Sequence, residues 1–87
     1  MNFGQALEKL KQGKSVRRTG WNGKGQFVYR ITGRELSTKM KYGYGEYEGE
    51  PRFADTLVLK NAQNVLVVGW VPSMGDIFGE DWEVVDS

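Results

Sequence analysis

The chain of 87 residues contains neither His nor Cys. That removes the usual neutral-pH general base, the commonest imidazole metal ligand and the thiolate nucleophile. Any nucleophile would have to be Ser, Thr, Lys or a carboxylate. Ser15, Ser37, Ser73 and Ser87 have no base placed near them by spacing. Asp76, Glu80, Asp81 and Glu83 form an acidic cluster, but no spacing within it is diagnostic of glycosidase or metal chemistry. The residues therefore point to binding rather than turnover, with no metal and no cofactor.

For binding, the chain offers an aromatic, an amide and cations close together. Trp21 lies between Gly20 and Asn22-Gly23. A ring on a Gly-rich turn can present its face to a nucleobase, worth about 1–3 kcal/mol of stacking. Asn22 can donate to and accept from a base edge. Arg17 and Arg18 supply forked guanidinium donors, Lys24 a point charge, and the amides of Gly23, Lys24 and Gly25 a nest for an anion. Phe27 follows on the next strand and joins the candidate set. Ser73 opens a second anion-favouring spot at a helix start, although Asp76 competes there for the same amides. Asp76 and Asp81 can instead accept from ribose hydroxyls. The alternative for Trp21 is a lid folded over the sheet edge. A stacking platform would be dispensable for stability, and a lid would not.

The elements that must hold these groups follow from periodicity. Phe3, Ala6, Leu7 and Leu10 make one apolar stripe of a helix over residues 2–12, with Asn2 as its N-cap and Gly13 as its left-handed stop. Ser15–Arg18 reads as a strand, and the run from Gly20 to Gly25 as a turn. Gln26–Thr32 alternates, with Phe27, Tyr29 and Ile31 on one face, and ends at Gly33. Residues 34–54 show no clear period, and the Tyr42–Tyr47 stretch reads as a functional loop. Thr56–Leu59 and Val65–Val68 form a hairpin. Ser73-Met74-Gly75-Asp76 is a capping box opening a short helix, and Trp82–Val85 is a last strand. Trp70 and Trp82 read as core. The sum is one small α+β domain over 1–87, its N-terminal helix packed on a mostly antiparallel sheet, with a short second helix before the last strand.

Composition narrows the partners. Twelve basic residues against eleven acidic ones leave a net charge of +1. Only Lys9–Arg18 is locally basic, too short and mixed for a nucleic-acid stripe, so no long nucleic acid is expected. No apolar run reaches membrane-spanning length, and the N-terminus opens on an amphipathic pattern rather than an apolar signal core. The absence of Cys fits the cytosol. A chain this small buries only about 60–65% of its unfolded surface, so without disulfide or metal the remaining support is self-assembly.

Three blocks, taken in order, resemble a known family: Asn2-Phe3-Gly4-Gln5-Ala6-Leu7-Glu8, Arg18-Thr19-Gly20-Trp21-Asn22-Gly23-Lys24-Gly25, and Trp70-Val71-Pro72-Ser73-Met74-Gly75-Asp76-Ile77 with Glu80-Asp81-Trp82-Glu83-Val84. They are similar to the second type of Thoeris anti-defence protein. Residues 34–54 carry no motif of that family, and Gly69 stands where a Pro is expected. The resemblance implies a phage sponge acting in the host cytoplasm. Such a protein holds cyclic ADP-ribose isomers, and in some relatives other cyclic oligonucleotides, without cleaving them. It implies a homotetramer with pockets between subunits. The competing expectations are a protein-interaction module that inhibits a host protein through its aromatic loop, and a single-stranded nucleic-acid binder.

Overall fold

A computed structural model describes residues 1–39 and 52–85. The Tyr42–Tyr47 stretch lies outside the described residues. Helix α1 (Phe3–Lys11) starts at Asn2, whose side chain accepts from the Gln5 N–H while the Gln5 side chain accepts from the Asn2 N–H. Gly13 follows the helix at φ +87°, the left-handed position expected of it. Strands β1 (Ser15–Arg18) and β2 (Phe27–Ile31) then run antiparallel. Helix α2 (Gly33–Ser37) follows directly, and corrects the expectation that Gly33 simply ends a strand before irregular chain. Thr32 caps it, with Glu35 completing a reciprocal capping box. Strands β3 (Thr56–Lys60) and β4 (Leu66–Val68) form the hairpin. Asn61 Oδ1 closes its turn by accepting from the Gln63 and Val65 N–H groups. Helix α3 (Met74–Phe78) and strand β5 (Trp82–Val85) complete the described chain.

The sheet order is β4-β3-β2-β1-β5, and every pairing is antiparallel. Residues opposite one another share a face, so Val16, Val28 and Leu59 line one side. On that side α1 lays Ala6 and Leu10 against Val16, Val28 and Trp82, all buried. Burying a side chain such as Leu10, Val16 or Val28 contributes about 1.5–3 kcal/mol, which is why the apolar stripe of α1 docks there. The other side of β2 and β3 holds a second, smaller cluster: Ile31 and Val58 with Leu36 of α2, flanked by Tyr29 and Phe53. Trp82 is only 2% exposed, as a core residue should be, and its indole N–H donates to the Asp76 carbonyl at 2.9 Å. Met1 joins the edge of β5: it accepts from the Trp82 N–H at 3.0 Å and donates to the Trp82 carbonyl at 2.8 Å.

Candidate functional site

The link between β1 and β5 builds the site. Register sets Arg18 opposite Trp82, so its guanidinium reaches the loop between α3 and β5. It donates through Nε to Asp81 Oδ1 at 2.8 Å and through Nη1 to Asp76 Oδ1 at 3.0 Å. Gly79 makes room for this reach: a Cβ there would stand 2.8–3.0 Å from the Arg18 Nε, Cζ and Nη2. Asp81 Oδ2 also accepts from the Gly20 N–H at 2.9 Å, which ties the start of the turn to the end of the chain.

Asp76 is the hub. Its Oδ1 accepts from Arg18 and from the Trp21 indole N–H at 3.1 Å, and its Oδ2 accepts from the Ser73 N–H at 3.0 Å. Ser73 returns the bond, its hydroxyl accepting from the Asp76 N–H at 3.1 Å, so the capping box read from sequence is present. Burial alone would raise the Asp76 pKa. The Ser73 N–H, the Trp21 indole and the Arg18 guanidinium together outweigh it and hold the carboxyl below its ordinary value of 3.8. Asp81 is lowered chiefly by the Arg18 hydrogen bond and then by the Gly20 amide. Arg18 is raised by the same two carboxylates, Asp81 first. The groups therefore stay charged together.

Two clefts open beside this network. The first, of about 460 Å³, runs along the β1–β2 turn. It is lined by Arg17 and Arg18 of β1, Thr19 just beyond it and Glu83 of β5, and by Trp21, Gly23, Lys24, Gly25 and Gln26 of the turn. Gly23 sits at φ +101°, a left-handed turn that other residues adopt only under strain. Gln26 braces the turn by donating to the Asn22 carbonyl. The second cleft, of about 170 Å³, is lined by Trp21, Asn22, Gln26, Leu59, Trp70 and Asp76.

Trp21 is thus shared by both clefts. It packs edge-on against Trp82, with ring centroids 5.4 Å apart, and against Trp70 at 6.0 Å. It remains half-buried, so part of its surface still faces outward. The lid alternative for Trp21 matches this packing, and the cleft walls leave the stacking role available to its exposed part.

The structure brings together Arg18, Trp21, Gly23 and Lys24 in the first cleft, and Trp21, Asn22 and Asp76 in the second. Ser73 serves as the α3 cap and lines neither. Phe27 also lines neither; its ring packs against Tyr29 at 6.1 Å and beneath the Lys60 ammonium at 5.6 Å. Arg18 already pairs with two carboxylates, and Arg17 pairs with Glu83 at 2.7 Å. Among the described residues Lys24 has no ion pair of 4 Å or less. Gln26, Leu59, Trp70 and Glu83 were not in the sequence-based set. The strand pairing that brings Glu83 beside Arg17 is long-range, and no local signal reveals it. Among the described residues, no helix is long and apolar enough to cross a membrane.

Comparison with known proteins adds a family to this geometry. A profile described as Tad2-like, the Thoeris anti-defense 2-like domain, matches residues 1–85. It therefore runs through residues 34–54, where the sequence showed no family motif. A protein of Bacillus phage SP01 named Thoeris anti-defense 2 is 45% identical over 85 residues, covering 98% of this chain and 94% of that protein.

Proposed function

Because the chain belongs to the Thoeris anti-defense 2-like family, we propose that it sequesters a cyclic ADP-ribose-type signal in the host cytoplasm. By withholding that signal it keeps the Thoeris effector idle. The observation that carries the reading is the first cleft: an aromatic side chain, a cation with no ion pair among the described residues and a glycine turn converge on one space. Its volume lies within the range of about 300–1,000 Å³ typical of small-molecule sites.

The roles divide by chemistry. Trp21 stacks on the base with its exposed surface, and Asn22 reads the base edge. Lys24 and the amides around Gly23 and Gly25 take the pyrophosphate. Arg18 acts from behind: its two carboxylates fix it, and it fixes the turn. Asp76 sets the angle of Trp21 through the indole N–H, and Ser73 caps α3. Holding a ligand in its ground state needs no group whose interaction strengthens in a transition state, so the protein acts in stoichiometric proportion to the signal. Self-assembly, with a tetramer as the favoured form, completes the reading. It offsets the marginal core of so short a chain and encloses a cleft open to solvent on one subunit.

Calorimetry against a panel of cyclic ADP-ribose isomers and cyclic oligonucleotides tests the proposal. At least one isomer should bind, and the protein's melting temperature should rise with its concentration. An interaction module aimed at a host protein would bind no member of the panel and show no such rise.

A further inference from the structure

Strand β4 lies at one edge of the sheet and carries no charge. Edge strands are normally guarded by Lys, Pro, a bulge or a covering segment, because their unpaired backbone invites another strand. Here Val65, Leu66, Val67 and Val68 are 52%, 55%, 42% and 51% exposed, so both faces of the edge are apolar and open. The opposite edge differs: β5 already exchanges backbone hydrogen bonds with Met1 at Trp82.

The hydrogen-bond parity of the hairpin shows what fits. The Asn61 N–H donates to the Val65 carbonyl at 3.0 Å, and the Gly69 N–H donates to the Leu57 carbonyl at 2.9 Å. An antiparallel ladder alternates between inward and outward residues. Val65, Val67 and Gly69 therefore turn their backbone groups toward β3, and Leu66 and Val68 turn theirs to the open edge. We propose that β4 pairs with β4 of a second copy, antiparallel about a two-fold axis through Val67, joining the two sheets into one.

In that register Leu66 of each copy lies opposite Val68 of the other, and each such pair exchanges both backbone bonds. Val67 faces itself in the close, non-hydrogen-bonded position. The edge is its own complement: outward donors meet outward acceptors, aliphatic side chains meet aliphatic side chains on both faces, and no like charges are opposed. An isologous contact of this kind closes on itself and leaves no free β4 edge to propagate. The proposal rests on the self-assembly reading above for the existence of an oligomer, and on the β4 edge for where it forms.

The chain has no native Cys, which makes single-cysteine cross-linking a direct test. Val67 of the two copies should have Cα atoms about 4.5 Å apart, inside the disulfide range of about 4.4–6.8 Å. Leu66 of the two copies should stand roughly 8 Å apart, too far to bridge. Under mild oxidation at micromolar concentration, V67C should run as a covalent dimer on a non-reducing gel, and L66C should not. V67K and V67E should each lower the native mass twofold or more, and a one-to-one mixture should restore it. Both positions are exposed, and circular dichroism checks the fold of each variant. An oligomeric protein in which V67C fails to cross-link, or does so no faster than L66C, overturns the β4 contact and leaves self-assembly standing. A wild-type chain of monomer mass overturns both, and frees the edge for a foreign strand.

Discussion

Replacing Asp76 by Asn keeps the shape of the hub and removes its charge. The carboxylate takes three side-chain-directed donors, Arg18 and Trp21 on Oδ1 and the Ser73 N–H on Oδ2. An amide offers only one acceptor oxygen. If that oxygen serves Arg18 and Trp21, the amide NH2 is forced against the Ser73 N–H; if it is flipped, two donors are lost. One buried donor left unmatched costs about 1–3 kcal/mol, and turning a charge-assisted bond neutral costs about 1 kcal/mol more. The Asp76 side chain is 12% exposed, so solvent screens little of this. D76N should lose about 2–4 kcal/mol near pH 7.

The pH dependence makes the test specific. The folded Asp76 pKa lies below 3.8, so its stabilisation is complete above that value. It is lost as pH falls through the folded pKa. D76N has no such proton to take up. Urea unfolding should therefore show the gap between wild type and D76N closing as pH drops below about 3.8, where the protonated wild type resembles the variant. A gap of unchanged size in acid would show that shape, not charge, carries the effect. No gap at neutral pH would refute the hub altogether.

Trp21→Ala should lower ligand affinity by about 1–3 kcal/mol through lost stacking, measured by calorimetry on folded protein at equal concentration. It should also lower the midpoint of thermal unfolding, because the ring packs on Trp70 and Trp82; an unchanged midpoint would contradict that packing. Ser73→Ala should cost about 0.5–2 kcal/mol in urea unfolding from the lost cap, with ligand affinity unchanged, since Ser73 lines neither cleft; a large loss of affinity would place it in the pocket. Gly79→Ala should cost about 1–3 kcal/mol by overpacking against the Arg18 guanidinium, and a neutral result would mean that Arg18 moves freely.

Local signals read well where the determinant was local. The stripe of Phe3, Ala6, Leu7 and Leu10 gave α1, and the Ser73–Asp76 pair gave α3 with its cap. Strands β1 and β5 fell on the residues expected. Helix α2 was missed although Thr32 and Glu35 hold the same capping spacing. Five residues are too few to show a helical period, and Gly33 reads as a strand stop. The apolar run Val65–Val68 reads as one arm of a hairpin, but hydropathy alone does not reveal that β4 stands exposed at the sheet edge. Ile77 and Phe78 are apolar residues of α3, yet Phe78 is 79% exposed. The inner side of α3 is held by the Ser73, Asp76 and Trp82 hydrogen bonds, not by an apolar stripe.

The candidate site was legible as a list and not as an arrangement. Trp21, Gly23 and Lys24 were found through turn chemistry. The partners of Arg18 lie 58 and 63 residues away in sequence, and only the β1–β5 pairing brings them near. That pairing leaves the Arg18 guanidinium engaged by Asp76 and Asp81 at the edge of the first cleft. Phe27, close to the turn in sequence, sits apart from both clefts because the β2–β3 pairing sets it opposite Lys60, with its ring against Tyr29.

Recovery of the bound ligand tests the central claim most directly. The protein is saturated with the tightest-binding cyclic ADP-ribose isomer, freed of unbound ligand, incubated for hours and denatured by heat, and the released material is analysed by mass and by its power to activate a Thoeris effector. The account predicts intact cyclic nucleotide, one equivalent per occupied site and fully active. Linear ADP-ribose or smaller fragments in place of the intact cyclic nucleotide would contradict it and show that the protein cleaves what it is proposed only to hold.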